Sequence, residues 1–320
     1  MTSFLYLTFL LMLTITHASY PPTPVTVDVS EYLRECVDKG TSIKDLSKSP
    51  SSSGASFSDR AGLACVPKEA WGSITPESFT KEAIQRLADS GLELTKSYKS
   101  KVDNGPKWDA DKGTASLLSS RGGSESMDAD CADIYVWSGS FSSACTGSEL
   151  PAIRTRGVIP MSAKDVAELL MDSKRVKVYN KMSQGRTDVK IFQAGIGTKS
   201  KQWGEGETKI VKNRTKPPLT SKTMVFTTLM HARKLPDSTY LVVSRAVNCP
   251  DGEGEGEGKV VKSEIMLGVN ILRPLAESSC ELSSVTHVNS PLVPGMMAKT
   301  VGIKGAVNFI NDLRALGSKK

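Results

Sequence analysis

Hydrophobic residues recur along this chain with two different periods, and the changes of period divide it into helices and strands. Helical spacing begins after Thr75-Pro76, a good N-cap residue followed by a proline at the first helical position. It returns after Ser162–Asp165, a segment with the pattern of a capping box. A third and longer helix is predicted after Pro294, where apolar residues again recur at helical spacing.

Between these helices lie short runs that are rich in β-branched residues or alternate between apolar and polar ones. Alternation of this kind is typical of strands with one covered face. The connections between the runs are short or turn-like, which favours antiparallel neighbours. The predicted strands are Ala115–Ser120, Ile134–Trp137, Ala152–Ile159, Asp188–Gln193, Glu207–Asn213, Met224–Arg233, Thr239–Val247, Glu264–Leu272 and Glu281–Val288.

The C-terminal helix would present a wide apolar stripe to these strands. We therefore predict an α+β domain in which a curved antiparallel sheet of about nine strands wraps around that helix. Two positions on this face of the helix, Gly302 and Gly305, are glycine, where a close-packed core would favour large side chains. An internal cavity is one interpretation, and close helix-to-sheet contact is the other. The stripe contains Met297, Val301, Gly305, Phe309 and Leu313, flanked by Ala298, Gly302, Ala306 and Ile310.

The N-terminal 70 residues have a different character. Phe4–Ile15 is an almost unbroken apolar run, and Thr16 and Ala18 suit the −3 and −1 positions of a signal-peptidase site. We predict a signal peptide over residues 1–18, and therefore the secretory pathway or secretion. No Lys or Arg precedes Arg34, so an uncleaved anchor, or a cytoplasmic protein with peripheral membrane association, is the alternative.

Residues 19–70 are predicted to form a short helix and a linker rather than a domain. The helix would run from Ser30 to Gly40, and Thr41–Arg60 is rich in serine with too few apolar residues to order itself. The folded domain is accordingly expected over residues 71–320.

Charge and motif content exclude several functional classes. The formal net charge of +7 permits contact with an anionic membrane, and Lys174, Arg175, Lys177 and Lys181 are candidates for it. No basic stripe interleaved with aromatic residues or zinc-finger spacing is present, so no nucleic-acid partner is predicted. The six cysteines form no CxxC, and the acidic Asp251–Gly258 is expected to be a loop. We predict no metal and no cofactor.

Five segments carry, by their order and spacing, a resemblance to a known family. They are Arg154–Asp172, Glu207–Leu219, Thr239–Val247, Ile271–Pro274 and Thr286–Asn289. With the opening helix they resemble the START family (steroidogenic acute regulatory protein-related lipid transfer domains) from about Trp71 to Lys319. The resemblance implies a helix-grip fold whose internal cavity holds a single phospholipid or sterol and is gated by the C-terminal helix. It further implies a monomer that touches membranes peripherally, transfers its lipid between them and catalyses nothing.

The resemblance also suggests which residues line the cavity. Some family members carry an acidic and an arginine side chain there on neighbouring strands. This chain has Thr228 or Met230 at the arginine position, and Arg245 on the next strand is a candidate for an anionic head group. The expected lining residues are Met230, Val243, Arg245, Asn270, Met297, Val301, Gly305, Phe309 and Leu313.

Two alternatives to a lipid carrier remain open from the sequence. Related helix-grip folds include cyclases and hydratases, for which His231, His287 or Glu264 would be the candidate proton donors. A sensor that binds lipid without moving it would share every feature of the carrier.

Overall fold

The computed structural model describes residues 108–139, 150–217, 221–247 and 260–318, together with the helical residues Lys81, Ile84, Gln85, Leu87, Ala88, Asp89 and Leu92. The predicted signal peptide, the linker and the acidic loop lie outside the described residues. The domain boundaries therefore stay predictions. We refer to the helical residues between 81 and 92 as the opening helix, and their helicity confirms that part of the first predicted helix.

Four further helices follow the opening helix in the described residues. The helices are α1 (Lys112–Ser120), α2 (Ala163–Met171), α3 (Val176–Tyr179) and α4 (Gly295–Gly317). Ser162 caps α2 as predicted, because its hydroxyl accepts a hydrogen bond from the backbone N–H of Asp165 at 3.0 Å. A short 3₁₀ turn, Ser173–Arg175, separates α2 from α3.

The predicted strand Ala115–Ser120 is wrong, since these residues belong to α1. Asp111 caps this helix by accepting from the Thr114 N–H at 2.7 Å. The serines at its end bond back into the helix, with Ser119 Oγ donating to the Ala115 carbonyl at 2.9 Å. The capping residue Asp111 lies before the short apolar run, and a run of this length alone does not distinguish a strand from a helix.

The other predicted strands are present, and they form a large sheet. The strands are β1 (Trp108–Ala110), β2 (Ile134–Gly139), β3 (Ala152–Ile159), β4 (Ser183–Gln193), β5 (Lys199–Ser200), β6 (Gly204–Glu205), β7 (Glu207–Thr215), β8 (Thr223–Lys234), β9 (Tyr240–Ala246), β10 (Val260–Lys262), β11 (Glu264–Ala276) and β12 (Ser279–Asn289). Nine strands follow one hydrogen-bonded path, β1-β2-β3-β12-β11-β9-β8-β7-β4, in which every neighbouring pair is antiparallel. β10 pairs in parallel with β8, and β5 and β6 form a separate hairpin.

Each face of the sheet is covered by different helices. Because side chains alternate along a strand, Val242 packs with α2 and α4 while its neighbours Leu241 and Val243 pack with the opening helix. We call the side of the sheet on which Val242 lies the α4 face, and the side on which Leu241 and Val243 lie the opposite face. A large antiparallel sheet with a long C-terminal helix on one face is the predicted helix-grip architecture, which is confirmed.

Helix α4 is fixed most firmly at its C-terminal end. The guanidinium of Arg314 donates to the carbonyls of Val158 at 2.8 Å, Ala132 at 2.7 Å and Asp133 at 3.0 Å. Gly317 lies directly against Pro160. At the other end Met296 is 78% exposed and Val301 is 46% exposed. The helix is therefore anchored near Arg314, and it exposes apolar side chains near its start.

Two glycines in α4 meet very different surroundings. A Cβ added at Gly302 would lie 2.7 Å from Cγ1 of Ile153, whereas a Cβ at Gly305 would meet no atom within 4 Å. Close helix-to-sheet contact therefore explains the first glycine, and open space surrounds the second.

This difference predicts opposite effects of the same substitution. Gly305→Ala should raise the free energy of unfolding by up to about 1 kcal/mol, because alanine favours a helix over glycine. Gly302→Ala should lower it, since the clash with Ile153 outweighs that gain. Urea unfolding of both variants measures the difference, and equal effects would contradict the packing described.

Candidate functional site

The site begins with the way in which α4 lies along β3. Gly302 touches Ile153, and a Cβ at Gly157 would lie 3.2 Å from Ile310. Four strand residues rise about 13 Å and eight helical residues about 12 Å, so the two elements run side by side in the same direction. Thr155, midway between the two contacts on β3, therefore lies level with Gly305 and Ala306.

A row of polar side chains crosses the α4 face at that level. Thr155 pairs with Ser284 on β12, and Ser284 pairs with Asn270 on β11. These positions alternate with residues of the opposite face, so all three lie on the side of the sheet that α4 covers. The row continues to the apolar Val242 on β9. The sheet thus offers an amide and two hydroxyls at the level of Gly305.

Two polar atoms on the α4 face are buried without a hydrogen bond. Asn270 Oδ1 and Thr228 Oγ1 are both shielded from solvent, and neither has a hydrogen-bond partner among the described residues. Thr228 lies farther along the sheet, opposite Ala246 on β9. Since a buried polar group without a partner costs about 1–3 kcal/mol, these atoms mark places where a bound molecule would be stabilised.

The cations nearest to this surface are already engaged. Arg186 on β4 donates to the Leu170 carbonyl at 2.8 Å and to the Tyr179 hydroxyl at 3.3 Å, and it contacts Met230 Sδ at 3.6 Å. Burial raises the pKa of Tyr179, against the opposing effect of Arg186. These residues tie β4 to α2 and α3.

A buried lysine on β7 is neutralised in the same region. Lys209 lies opposite Met230, and its ammonium group is 3.3 Å from Asp188 and 3.1 Å from Glu207. With Arg186 engaged as well, the described part of the α4 face offers neutral polar groups at Asn270, Ser284 and Thr228.

Phe309 and Leu313 bring α4 against the core of this face. The Phe309 ring meets the Tyr179 ring edge-on with centroids 6.1 Å apart, and Leu313 is fully buried. Lys181, after α3, forms a 2.7 Å ion pair with Asp312 on α4. The C-terminal half of α4 is thereby closed against α3.

The structure divides the sequence-predicted lining residues between the two faces. Met230 and Asn270 lie on the α4 face, and Gly305, Phe309 and Leu313 lie on the part of α4 described above. Met297 is half-buried and Val301 is exposed, both in the N-terminal half of α4. A lipid-lining role for these residues stays a prediction.

Val243 and Arg245 lie on the opposite face of the sheet, away from α4. Val243 is part of the core beneath the opening helix. Arg245 is fully buried and donates to the Met266 carbonyl. Their positions differ from Val242 and Ser244 by one residue, and a shift of one residue reverses the face in a strand. Neither residue can reach a molecule held under α4.

The residues considered for proton transfer are not brought together. His231 lies on the opposite face, with Nδ1 2.9 Å from Thr208 Oγ1, and His287 lies there too, with Nε2 2.8 Å from the Leu150 carbonyl. Burial lowers the pKa of His231 to about 3 and that of His287 to about 4. Glu264 accepts a hydrogen bond from Asn289 at 3.1 Å. The described residues contain no cluster of three or more potential metal ligands.

Sequence reasoning missed the polar row, Arg314, which anchors α4, and Arg186, which ties β4 to α2 and α3. Thr155 lies between Arg154 and Arg156, and Ser284 follows another serine, so local alternation does not reveal their face. Only strand register brings them beside Asn270. Arg314 follows the apolar stripe of α4 and gives no local signal. No helix in the described part of the chain is long and apolar enough to cross a membrane.

Comparison with solved structures finds the same architecture in lipid transfer proteins. Human STARD10 aligns with 72% of this chain and 79% of its own, at 12% identity and a TM-score of 0.52. Human StAR-related lipid transfer protein 5 aligns with 74% of this chain and 97% of its own, at 11% identity and a TM-score of 0.52. A STAR-related lipid transfer protein fragment from Xanthomonas axonopodis covers 66% of this chain and 98% of its own, at 16% identity and a TM-score of 0.47. No protein-family model and no curated protein sequence matches the chain.

The buried histidines predict how stability depends on pH. Their folded pKa values of about 3 and about 4 lie below the ordinary 6.5, so between these limits the unfolded chain binds protons that the folded chain does not. The free energy of unfolding should be fully maintained above pH 6.5 and fall by up to about 1.4 kcal/mol per pH unit per histidine below it.

Urea unfolding at pH 7.5, 6 and 5 measures this effect. His231→Gln removes one of the two groups, so the decline between pH 7.5 and 5 should be smaller in that variant than in the parent chain. An identical decline in both would contradict burial of a neutral His231.

Proposed function

Because this chain has the helix-grip fold of the START domains, we propose that it binds a single lipid molecule between helix α4 and the α4 face of its sheet. The two solved structures that are similar at a TM-score of 0.52 include one named as a lipid transfer protein. The lipid would be carried without chemical change and transferred between membranes.

Two observations carry this proposal: the open space at the Cβ position of Gly305, and a buried polar row at the same level of the sheet. Asn270 Oδ1 lacks a hydrogen-bond partner among the described residues, and Gly305 has no atom within 4 Å of its Cβ position. Polar atoms in this state are stabilised by a ligand that fills the space and supplies the missing hydrogen bond. An acyl chain or a sterol ring would meet the apolar Val242, Leu272 and Leu282 of the same face.

The polar groups also favour one kind of ligand over another. A carboxamide oxygen accepts hydrogen bonds, so Asn270 would select a lipid with an O–H or N–H donor. Arg186 and Lys209 are engaged with protein groups, which weakens the case for recognition of a bare phosphate on this face. A sterol hydroxyl, or the donor of a phospholipid head group, fits this requirement.

Exchange of the lipid would proceed through movement of the N-terminal half of α4. Arg314 fixes the C-terminal end, while Met296 and Val301 expose apolar surface near the start. Such surface would enter a membrane interface, and nearby lysines would add about 1 kcal/mol each against anionic lipid. A monomer suffices for this process. We propose that it acts in the secretory pathway if residues 1–18 direct it there.

Catalysis by a helix-grip enzyme is the alternative, and the described residues give it little support. His231 and His287 are buried on the face opposite α4, and Glu264 is bonded to Asn289. A convergent acid and base facing the open space would be needed.

Asn270→Leu tests the polar selection. The variant should lose about tenfold in affinity for a donor-bearing lipid, because the hydrogen bond to the amide is worth roughly 1–3 kcal/mol when buried. Binding is compared for lipids that differ in one donor: cholesterol against its methyl ether, and phosphatidylethanolamine against phosphatidylcholine.

The matched control is Asn308→Leu, which changes an exposed asparagine on the back of α4. It should leave both affinities unchanged. An unaltered donor preference in Asn270→Leu would remove Asn270 from the site, and equal losses in the two variants would show a general effect of added leucine.

A reversible cross-link tests whether movement of α4 gates the exchange of lipid. Cysteines at Gly302 and Ile153 would be close enough for a disulfide, since a Cβ at Gly302 already lies 2.7 Å from Cγ1 of Ile153. The oxidised double variant should retain its bound lipid and transfer it at least tenfold more slowly between vesicles, and reduction should restore the rate.

The parent chain, oxidised and reduced in the same way, controls for its native cysteines. Undiminished transfer by the locked protein would contradict movement of α4. Binding without transfer in every state, including the reduced one, would favour the lipid sensor over the carrier.

A further inference from the structure

An exposed basic surface lies at the edge of the sheet, where the 3₁₀ turn and α3 precede strand β4. Ser173, Val176 and Tyr179 of this segment are buried against the protein. The exposed side chains between them include four cations, two large apolar groups and no carboxylate. We call these six residues the α3 surface, and they are Lys174, Arg175, Lys177, Val178, Lys181 and Met182.

The α3 surface is held in a fixed position on the sheet. In its middle, Cε of Lys177 lies 3.8 Å from the position that a Cβ would take at Gly185 on β4. At its end, the Met182 carbonyl accepts from the backbone N–H of Lys216, directly after β7, at 2.9 Å. The segment therefore offers a preformed surface, and a partner would not have to order it on binding.

Three of the cations have no ion-pair partner among the described residues. They are Lys174, Arg175 and Lys177. The carboxylate of Asp172 caps the 3₁₀ turn by accepting from the backbone N–H of Lys174 at 2.8 Å. Only Lys181 is engaged in an ion pair within this part of the structure, with Asp312 at 2.7 Å. The surface therefore carries positive charge that complements an anionic partner.

Two apolar side chains lie among these cations. Val178 is 43% exposed and Met182 is 44% exposed. Apolar side chains surrounded by lysine and arginine suit a membrane interface, because the apolar groups enter the boundary of the hydrocarbon while the cations extend to the head groups. The ring of Tyr179 is buried, so this surface offers no aromatic ring on which a nucleobase could stack. Its chemistry favours a lipid surface over a nucleic acid.

The α3 surface borders the part of α4 beside which we place the lipid site. Lys181 joins it to α4 through the ion pair with Asp312. Gly305 and Asp312 follow the exposed Val301 by four and eleven residues, so the three positions lie on one side of the helix. Val301 is about 16 Å along α4 from Asp312. A membrane that touches the α3 surface would therefore lie on the side of α4 that carries Val301 and Gly305.

We propose that the α3 surface docks this protein onto membranes rich in anionic lipid and thereby sets which side of α4 meets the bilayer. The unpaired cations attract the negatively charged head groups, and Val178 and Met182 enter the interface. This inference rests on the proposed carriage of a lipid, and it adds the chemistry of the membrane that the carrier visits. Docking and lipid binding use different residues, so each can be tested without the other.

Co-sedimentation of the full chain with vesicles tests the role of charge. The chain should bind vesicles of phosphatidylcholine mixed with phosphatidylserine at least about tenfold more tightly than vesicles of phosphatidylcholine alone. The double variant Lys174→Gln, Lys177→Gln should bind the mixed vesicles about 30-fold more weakly, which is about fivefold for each charge removed. High salt should weaken binding of the parent chain more than that of the variant.

The matched control removes two exposed lysines elsewhere on the protein. Lys112 lies at the start of α1, and Lys234 lies at the end of β8 that is remote from α3. The double variant Lys112→Gln, Lys234→Gln has the same net charge as the first, and it should bind mixed vesicles as tightly as the parent chain.

A third double variant tests the apolar contribution. Val178→Ser with Met182→Ser should weaken binding to mixed vesicles by about tenfold, because apolar surface that enters the interface is lost. Both side chains are exposed, so the fold does not depend on them. Unaltered binding would contradict their entry into the bilayer.

The proposal is overturned if the parent chain binds the two kinds of vesicle equally, if the Lys174 and Lys177 variant binds like the parent, or if the control variant loses as much binding. Native mass spectrometry of the same variants separates docking from lipid carriage, because each variant should still hold a lipid as the parent chain does. A parent chain that docks on anionic vesicles and never holds a lipid would count against the proposed function and leave the docking surface in place.

Discussion

The contact between Gly302 and Ile153 sets the distance between α4 and the sheet, and the candidate lipid site depends on that distance. Together with the contact between Gly157 and Ile310, it lets the helix follow β3 closely at two levels. Between those levels the helix presents Gly305, which has no side chain to fill the gap. At the same level the sheet carries the polar side chains of Thr155, Ser284 and Asn270 instead of large apolar ones. Between the two close contacts, the Cβ position of Gly305 has no atom within 4 Å.

The alternation of side chains gives each face of the sheet its own set of charged residues. Both faces carry buried charge: on the α4 face Lys209 is paired with Asp188 and Glu207, and on the opposite face the charges lie on β3 and β12. Arg156 forms a bidentate pair with Glu281 at 2.7 and 2.9 Å, and Arg154 lies 4.2 Å from the Trp137 ring. Burial opposes ionisation of Glu281, but hydrogen bonds and charge from Arg156 and Arg273 hold its pKa below the ordinary value. Much of the basic content of this sheet therefore serves structure.

The type and order of the elements could be predicted from sequence where the apolar pattern was long. The face of the sheet on which each strand residue lies could not. The strands from Asp188 onward and the final helix could be predicted because each extends over several alternations or several helical turns of the apolar pattern. The strand predicted at Ala115–Ser120 was wrong because its apolar run is too short to distinguish a strand from a helix. Val243 and Arg245 were expected under α4, but which face a strand residue takes depends on register across the whole sheet. The row formed by Thr155, Ser284 and Asn270 exists only through such pairing.

The most direct test of the central claim is native mass spectrometry of the full chain after incubation with vesicles of mixed lipids. The account predicts a complex with a single lipid per chain, and identification of that lipid should show a hydroxyl or amine donor. A chain that stays free of lipid across sterols and phospholipids, under conditions in which it remains folded, would contradict a lipid site beneath α4.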